Sequence, residues 1–281
     1  MSERQLTIHD HSRDSAGMRY VYPVVSRRAG GVSVGINLNV NNACNWACVY
    51  CQVPGLTRGG PPPVDLERLD LELRQMLGNI AQGDYLLRHA PPEARRLVDV
   101  AFSGNGEPTS AQAFPEAVAV AAGAMADLLA GEKVPLRLIT NGSQLHRAGV
   151  QHGIARLAQQ GGEVWFKFDR ATIEGIARVN GVRMQPQRAL VRLRRCAELA
   201  PTWVQTCLFA IDGSGPSADE REAYLAAVAG LRGVIEGVQL YGLARPSMQP
   251  DASRLSAVAA SDLESFAAEI GQLGIRVAVS P

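Results

Sequence analysis

The chain has 281 residues, of which 46% are hydrophobic and 20% charged; this is a globular composition, long enough to bury a sizeable core and unlike that of a disordered chain. Lys and Arg number 28 against 27 Asp and Glu, a net charge of +1, which excludes a whole-molecule field for nucleic acid but not a local basic patch. No apolar run reaches the roughly 18 residues that span a bilayer, and residues 1–14 are polar and mixed in charge, unlike a secretory leader, so the expected protein is cytoplasmic with no membrane partner.

Residues 1–31 read as a loose N-terminal arm. Residues 32–40 then alternate apolar with small or polar side chains, the period of a strand. Further strands are expected over 97–103, 136–140, 163–169, 203–211 and 237–243, with 275–280 as a seventh. Between them, Leu66, Leu69, Leu73, Met76 and Leu77 recur at helical spacing over 64–80. Helices are also expected over 114–129, 185–199, 218–230 and 261–273, with a less regular pattern over 146–159. Strands alternating with helices predict right-handed βαβ units and a parallel sheet. Six units without a dinucleotide fingerprint predict an α/β barrel or partial barrel, with functional groups at the C-terminal strand ends. In this reading residues 32–245 form the core, and 246–281 supply a C-terminal helix and strand that cover it.

One parity of each strand should face the helices and the other the barrel interior. The inward set reads Asn37, Asn39, Asp99, Ser103, Arg137, Asn141, Lys167, Asp169, Gln205, Cys207, Gln239 and Tyr241. Such polarity predicts either edge strands with one wet face or a hydrated lumen that holds a polar ligand.

Five cysteines are too few for a disulfide framework in a chain of this length. Cys44, Cys48 and Cys51 follow the first strand with the spacing C-x3-C-x2-C. A closed zinc site takes four ligands, so zinc would need a distant fourth. A redox dithiol of Cys48 and Cys51 would leave Cys44 without a role. Three thiolates on a cubic cluster leave one iron open to another ligand, and a short cysteine loop suits a cluster.

With Tyr50 just before Cys51, the motif resembles that of the radical S-adenosylmethionine (SAM) superfamily, and the resemblance spans roughly residues 20–245. It implies a partial (β/α)6 barrel, one 4Fe–4S cluster on Cys44, Cys48 and Cys51, and SAM chelated at the open iron with Tyr50 near its adenine. It implies an enzyme that reductively cleaves SAM to a 5′-deoxyadenosyl radical, which abstracts hydrogen from a substrate. Such chemistry requires a one-electron donor of the flavodoxin or ferredoxin type.

A second motif, Ser103-Gly104-Asn105-Gly106-Glu107-Pro108, follows the next strand. Alone it reads as a turn before a helix, with Gly104 and Gly106 permitting close backbone approach. By the resemblance it matches a Gly-Gly-Glu-Pro loop, with Asn105 replacing the first glycine, and Glu107 accepts from the SAM ammonium. Asn141 and Ser143 after the third strand, and Lys167 and Asp169 at the fourth, fall where related enzymes contact the SAM ribose and carboxylate. Read from residues alone, Asn141-Gly142 is a turn signal, and Lys167 is an ion-pair partner for Asp169 or Asp99. Lys167, Gln239 and Tyr241 are expected to line the substrate end. Arg245, in the stretch that follows, is an anion ligand or a loop cap.

The stretches 23–28 and 35–39 resemble one radical SAM subgroup, which includes the enzymes of wyosine formation in tRNA and uncharacterised relatives. Wyosine enzymes carry a second cluster on upstream cysteines. This chain has no cysteine before Cys44, so wyosine formation itself is not expected. Cys196 reads as a small core residue of a helix, and an inward Cys207 is a candidate hydrogen-atom donor. Arg183, Arg188, Arg192, Arg194 and Arg195 form a basic run, either a solvated helix face or a phosphate-binding surface; the lack of interleaved aromatics favours the first. His9-Asp10-His11 has the look of a metal pair, discounted because it lies in the arm. The substrate stays open as a small molecule, a tRNA or a protein partner. The non-enzymatic alternative is an iron–sulfur electron carrier or regulator, which would not need the Gly-Glu-Pro loop.

Overall fold

The computed structural model describes residues 5–7, 13, 16–26 and 29–280. Eight strands lie in one sheet in chain order: β1 (Val21–Ser26), β2 (Gly31–Ile36), β3 (Leu97–Phe102), β4 (Leu136–Thr140), β5 (Glu163–Lys167), β6 (Thr202–Leu208), β7 (Gly237–Gly242) and β8 (Val277–Ser280). β1 runs antiparallel to β2, and every later neighbour is parallel. The crossovers carry α1 (Leu66–Ala81), α2 (Tyr85–His89), α3 (Phe114–Leu128), α4 (Ala148–Gln159), α5 (Ile173–Asn180), α6 (Pro186–Leu199), α7 (Ala218–Ala229) and α8 (Ala260–Gln272). β1 and β8 do not pair with each other, so the curled sheet is an open, partial barrel.

The outward parity of the strands makes the core. Val34, Val100, Leu138, Phe166, Val204 and Leu240 are fully covered, in one cluster with Leu73, Ala121, Ile154, Leu193, Val228 and Phe266 of the helices. Each large side chain buried there contributes about 1.5–3 kcal/mol, so this shell stabilises the barrel and leaves the interior free to be polar. Helix ends are written locally. Asp65 caps α1, accepting from Arg68 N at 3.0 Å, Ser217 and Glu220 form a capping box at α7, and Gly181 ends α5 at a φ of 65°.

The structure departs from the sequence expectation at both ends of the chain. Within the expected arm, residues 21–26 form an edge strand. Pro23 sits inside it, and an edge tolerates a residue with no N–H to donate. The Tyr22 ring of β1 covers Gly35 of β2, where a Cβ would fall 2.2 Å from the ring. Gly35→Ala should cost about 1–3 kcal/mol by overpacking and lower the melting temperature; an unchanged melting temperature would mean that the ring moves aside freely. The strand expected over 32–40 stops at Ile36. There Asn37 Oδ1 accepts from Asn39 N and Asn105 N, both at 3.1 Å, and such local bonds compete with the ladder. At the other end, β8 does not cover the barrel. It extends the sheet beside β7, with α8 packed behind both, and so pairs an edge that would otherwise expose its backbone groups. His9-Asp10-His11, Arg27 and Arg28 lie outside the described residues. Among the described residues, no helix is long and apolar enough to cross a membrane.

Candidate active site

The segment after β2 crosses the C-terminal strand ends and carries the three cysteines. Asparagines hold it from below. Asn39 Nδ2 donates to Ala43 O at 2.9 Å. Asn42 donates to Pro54 O at 3.0 Å and accepts from Asn105 Nδ2 at 2.6 Å. The loop after β3 passes so close that a Cβ on Gly106 would fall 2.2 Å from Ala43 O, so only glycine fits. The end of α5 clamps another side: Ala47 N donates to Asn180 O at 3.1 Å and Val49 N to Val179 O at 2.9 Å. Asn45 donates to Ser143 Oγ at 2.6 Å and accepts from Asn141 Nδ2 at 2.9 Å. From beyond β7, Ser247 Oγ donates to Val49 O at 2.6 Å and Met248 N to Cys51 O at 2.9 Å. A loop tied to four others presents its side chains in a fixed geometry.

Cys44, Cys48 and Cys51 are free and half-buried, and they border one cavity of about 290 Å³. Tyr50, Gly104, Gly106, Glu107, Asn141, Lys167 and Tyr241 border the same space. Asn105, Pro108, Ser143 and Asp169 do not line it; they belong to the supporting structure behind the lining residues. Of the inward set, Asp99, Ser103, Gln205 and Cys207 also reach the cavity. Gln239 does not line it, although Gln205 Nε2 lies 3.5 Å from its Oε1.

N–H groups are aimed at sulfur: Trp46 N lies 3.5 Å from Cys44 Sγ, and Asn180 Nδ2 lies 3.4 Å from Cys48 Sγ. Burial pushes the Cys44 thiol up to about 11 and the Cys48 thiol up to about 12, so a thiolate at either position calls for a cation beside it. Among the described residues, no three His, Cys, Asp or Glu side chains form a site for a single metal ion; the thiols surround a shared space. Three such donors on one rigid loop, two of them receiving N–H groups, fit a cluster held by thiolates.

Glu107 is buried, and four donors of the chain reach its carboxylate. Oε1 accepts from Thr109 N at 3.1 Å, from Thr140 Oγ1 at 2.6 Å and from Thr109 Oγ1, while Oε2 accepts from Asn141 N at 2.7 Å. It therefore ties the loop after β3 to the loop after β4. Burial still pushes its carboxyl above the usual range, despite these donors.

Asp169 works one layer back. Its Oδ2 accepts from Tyr50 OH at 2.6 Å and Asn180 Nδ2 at 2.8 Å, and Oδ1 accepts from Cys207 N at 2.9 Å. Lys167 makes no ion pair with a described carboxylate; Nζ instead donates to Tyr50 OH at 3.3 Å and Tyr241 OH at 3.5 Å. Burial disfavours its ammonium, but the negative potential of Tyr241 and Asp169 outweighs that and holds its pKa above the usual lysine value. The partner expected for Lys167, Asp99, is taken at the barrel floor. There Arg137 lies 4.7 Å over the Trp165 ring and joins Asp99 to Glu163, and Ser33 Oγ donates to Asp99 as well.

Sequence reading passed over Asn45, Asn180 and Tyr22. Asn45 was visible as a polar residue inside the cysteine motif, and Asn180-Gly181 as a helix-ending pair. Nothing in the sequence signals that Asn180 bonds Cys48. Cys196 is a core residue as expected, fully buried, with Thr202 Oγ1 3.6 Å from its sulfur.

No protein-family model and no curated protein matches the chain. Solved structures do. A radical SAM methyltransferase from Sphaerobacter thermophilus aligns with a TM-score of 0.59 at 16% identity, over 92% of this chain and 68% of its own. TYW1, solved with a lysine-pyruvate adduct, aligns at 0.56 and 15% identity over 85% of this chain and 73% of its own. SuiB from Streptococcus suis, solved with S-adenosylmethionine, aligns at 0.56 and 12% identity over 90% of this chain, which spans only 47% of SuiB's length. Likeness at these identities is a likeness of fold, and the fold of this chain is the radical SAM partial barrel.

Proposed function

We propose that the chain is a cytoplasmic radical SAM enzyme: Cys44, Cys48 and Cys51 hold one 4Fe–4S cluster, and SAM binds in the cavity beside it. The observation that carries this reading is convergence. The three thiols, the Gly104–Glu107 turn and the polar ends of β5 and β7 meet on one cavity. When bound, the cluster supplies the electron that splits SAM, and the resulting 5′-deoxyadenosyl radical takes hydrogen from a substrate. The chain's own residues bind and orient. Glu107 lines the cavity, and its Oε2 has a single donor among the described residues, so it can accept from the SAM ammonium, which would restore the charged carboxylate that burial disfavours. Asp169 fixes the Tyr50 ring against the cavity, and Lys167 holds the Tyr241 hydroxyl at the substrate side. None of the five cysteines is in a disulfide, which suits a reducing compartment.

Protein reconstituted without air and given SAM and photoreduced deazaflavin should release 5′-deoxyadenosine. Iron-loaded protein that releases none would overturn the reading. Comparing small molecules and digested tRNA from cells with and without the protein identifies the substrate, which should accelerate that release. Tyr241→Phe removes one hydroxyl and almost no volume; it and Lys167→Met should blunt the acceleration while keeping the slow background and the melting temperature. Variants that melt several degrees lower yet respond normally to substrate would make both residues structural.

A further inference from the structure

Charge is segregated along this chain to a degree that the net value of +1 conceals. Residues 38–64, 133–162 and 175–197 contain no Asp or Glu, and the last of these carries six arginines. The fold brings the three segments together. Arg58 of the cysteine segment donates to Asn45 O at 2.6 Å and also to Gly181 O. Asn45 bonds the loop before α4, and Arg195 of α6 donates to Gln151 of α4 at 2.8 Å. Of the acids near this face, Glu220 is engaged by Arg178 and Glu198 by Arg195, and the exposed Glu132 and Glu174 stand at the segment ends. Exposed Arg183 and Arg188 and half-buried Arg192 make no ion pair among the described residues. Burial lowers the pKa of Arg192, and the nearby Arg188 lowers it further. An acid-free, arginine-rich face thus begins at Gly181, whose α-carbon is packed against Ala47 between Cys44 and Cys48.

We infer that this face, from Arg58 through Arg183 to Arg188, docks an acidic one-electron donor protein. The inference rests on reading the cavity as a cluster site, because that chemistry takes up one electron per SAM cleaved. Position and charge both favour this partner. The face starts beside Asn180, whose Nδ2 lies 3.4 Å from Cys48 Sγ, so a donor seated on it has a short path to the cluster. Fixed positive charge attracts an acidic partner and raises its rate of encounter. RNA is the other polyanion such a surface attracts, but among the described residues none of the large exposed apolar side chains is aromatic, so single-stranded bases find no stacking platform on it.

The test uses the reconstituted full chain and two reductants, a photoreduced acidic flavodoxin and photoreduced deazaflavin, which has no protein surface. Bleaching of the cluster by flavodoxin should slow as salt rises from about 50 to about 300 mM. Arg183→Glu combined with Arg188→Glu should slow it about 10-fold or more at low salt and remove most of the salt dependence. Bleaching by deazaflavin should be the same in both proteins, and so should the melting temperature. Arg183→Ala combined with Arg188→Ala should fall between them. Equal flavodoxin rates in wild type and variant would overturn the proposal. So would salt-dependent binding of tRNA that the double variant loses while its flavodoxin rate is kept. If deazaflavin leaves the wild type unbleached, the reading of the cavity itself fails and the docking face falls with it.

Discussion

Alanine at Cys44, Cys48 or Cys51 should leave the anaerobically reconstituted protein without its brown colour, whereas the wild type should carry about four irons per chain, as three thiolates on one cubane imply. The effect is expected to be all-or-none because the loop cannot compensate. Its side chains are bonded to the loops after β3 and β4 and its backbone to the end of α5 and to the segment after β7, so no neighbouring cysteine can slide into place. Cys207 belongs to β6, with its amide on Asp169, and Cys196 is sealed in the core. Cys196→Ala and Cys207→Ala should therefore keep the colour. Eight irons per chain, or loss of colour in Cys207→Ala, would refute a single cluster on these three ligands.

Glu107→Gln should lower both stability and SAM affinity, and the two readouts separate its two roles. A glutamine has one accepting oxygen where glutamate has two. Whichever way the amide turns, its NH2 faces a backbone N–H, either that of Thr109 or that of Asn141. The threonine hydroxyls can rotate to accept; the backbone groups cannot. One hydrogen bond from a backbone donor to a buried charged acceptor is worth about 1.5–3 kcal/mol, so the melting temperature should fall by roughly 3–10 °C. Loss of the carboxylate charge should also weaken SAM binding by roughly 10- to 100-fold in a titration with the cluster intact. An unchanged melting temperature would mean that the four-donor bond set is not a structural tie. An unchanged SAM affinity would mean that the ammonium binds elsewhere.

Much of this protein is local and therefore legible in its sequence. The strands expected over 97–103, 136–140 and 237–243 and the leucine spacing of α1 each express a preference within a few residues. The cysteine spacing, the Gly-Glu-Pro turn and the polar inward parity of β3 to β7 express the chemistry of the cavity in the same local way. Tertiary structure decided what lies between these segments. Val21–Ser26 becomes a strand only because β2 offers an edge to it, and Gly35 leaves space for Tyr22. β8 joins the sheet because β7 has an unpaired edge. Asp169 and Lys167 sit two residues apart, yet the fold buries one carboxylate behind Tyr50 and places the ammonium between two phenols of distant segments. Glu107 acquires its donors from Thr140 and Asn141, and Cys48 its N–H from Asn180, more than a hundred residues away. Sequence fixes a residue's period and chemistry through its neighbours in the chain; its hydrogen-bond partners are set by which loops the barrel brings to the same strand ends.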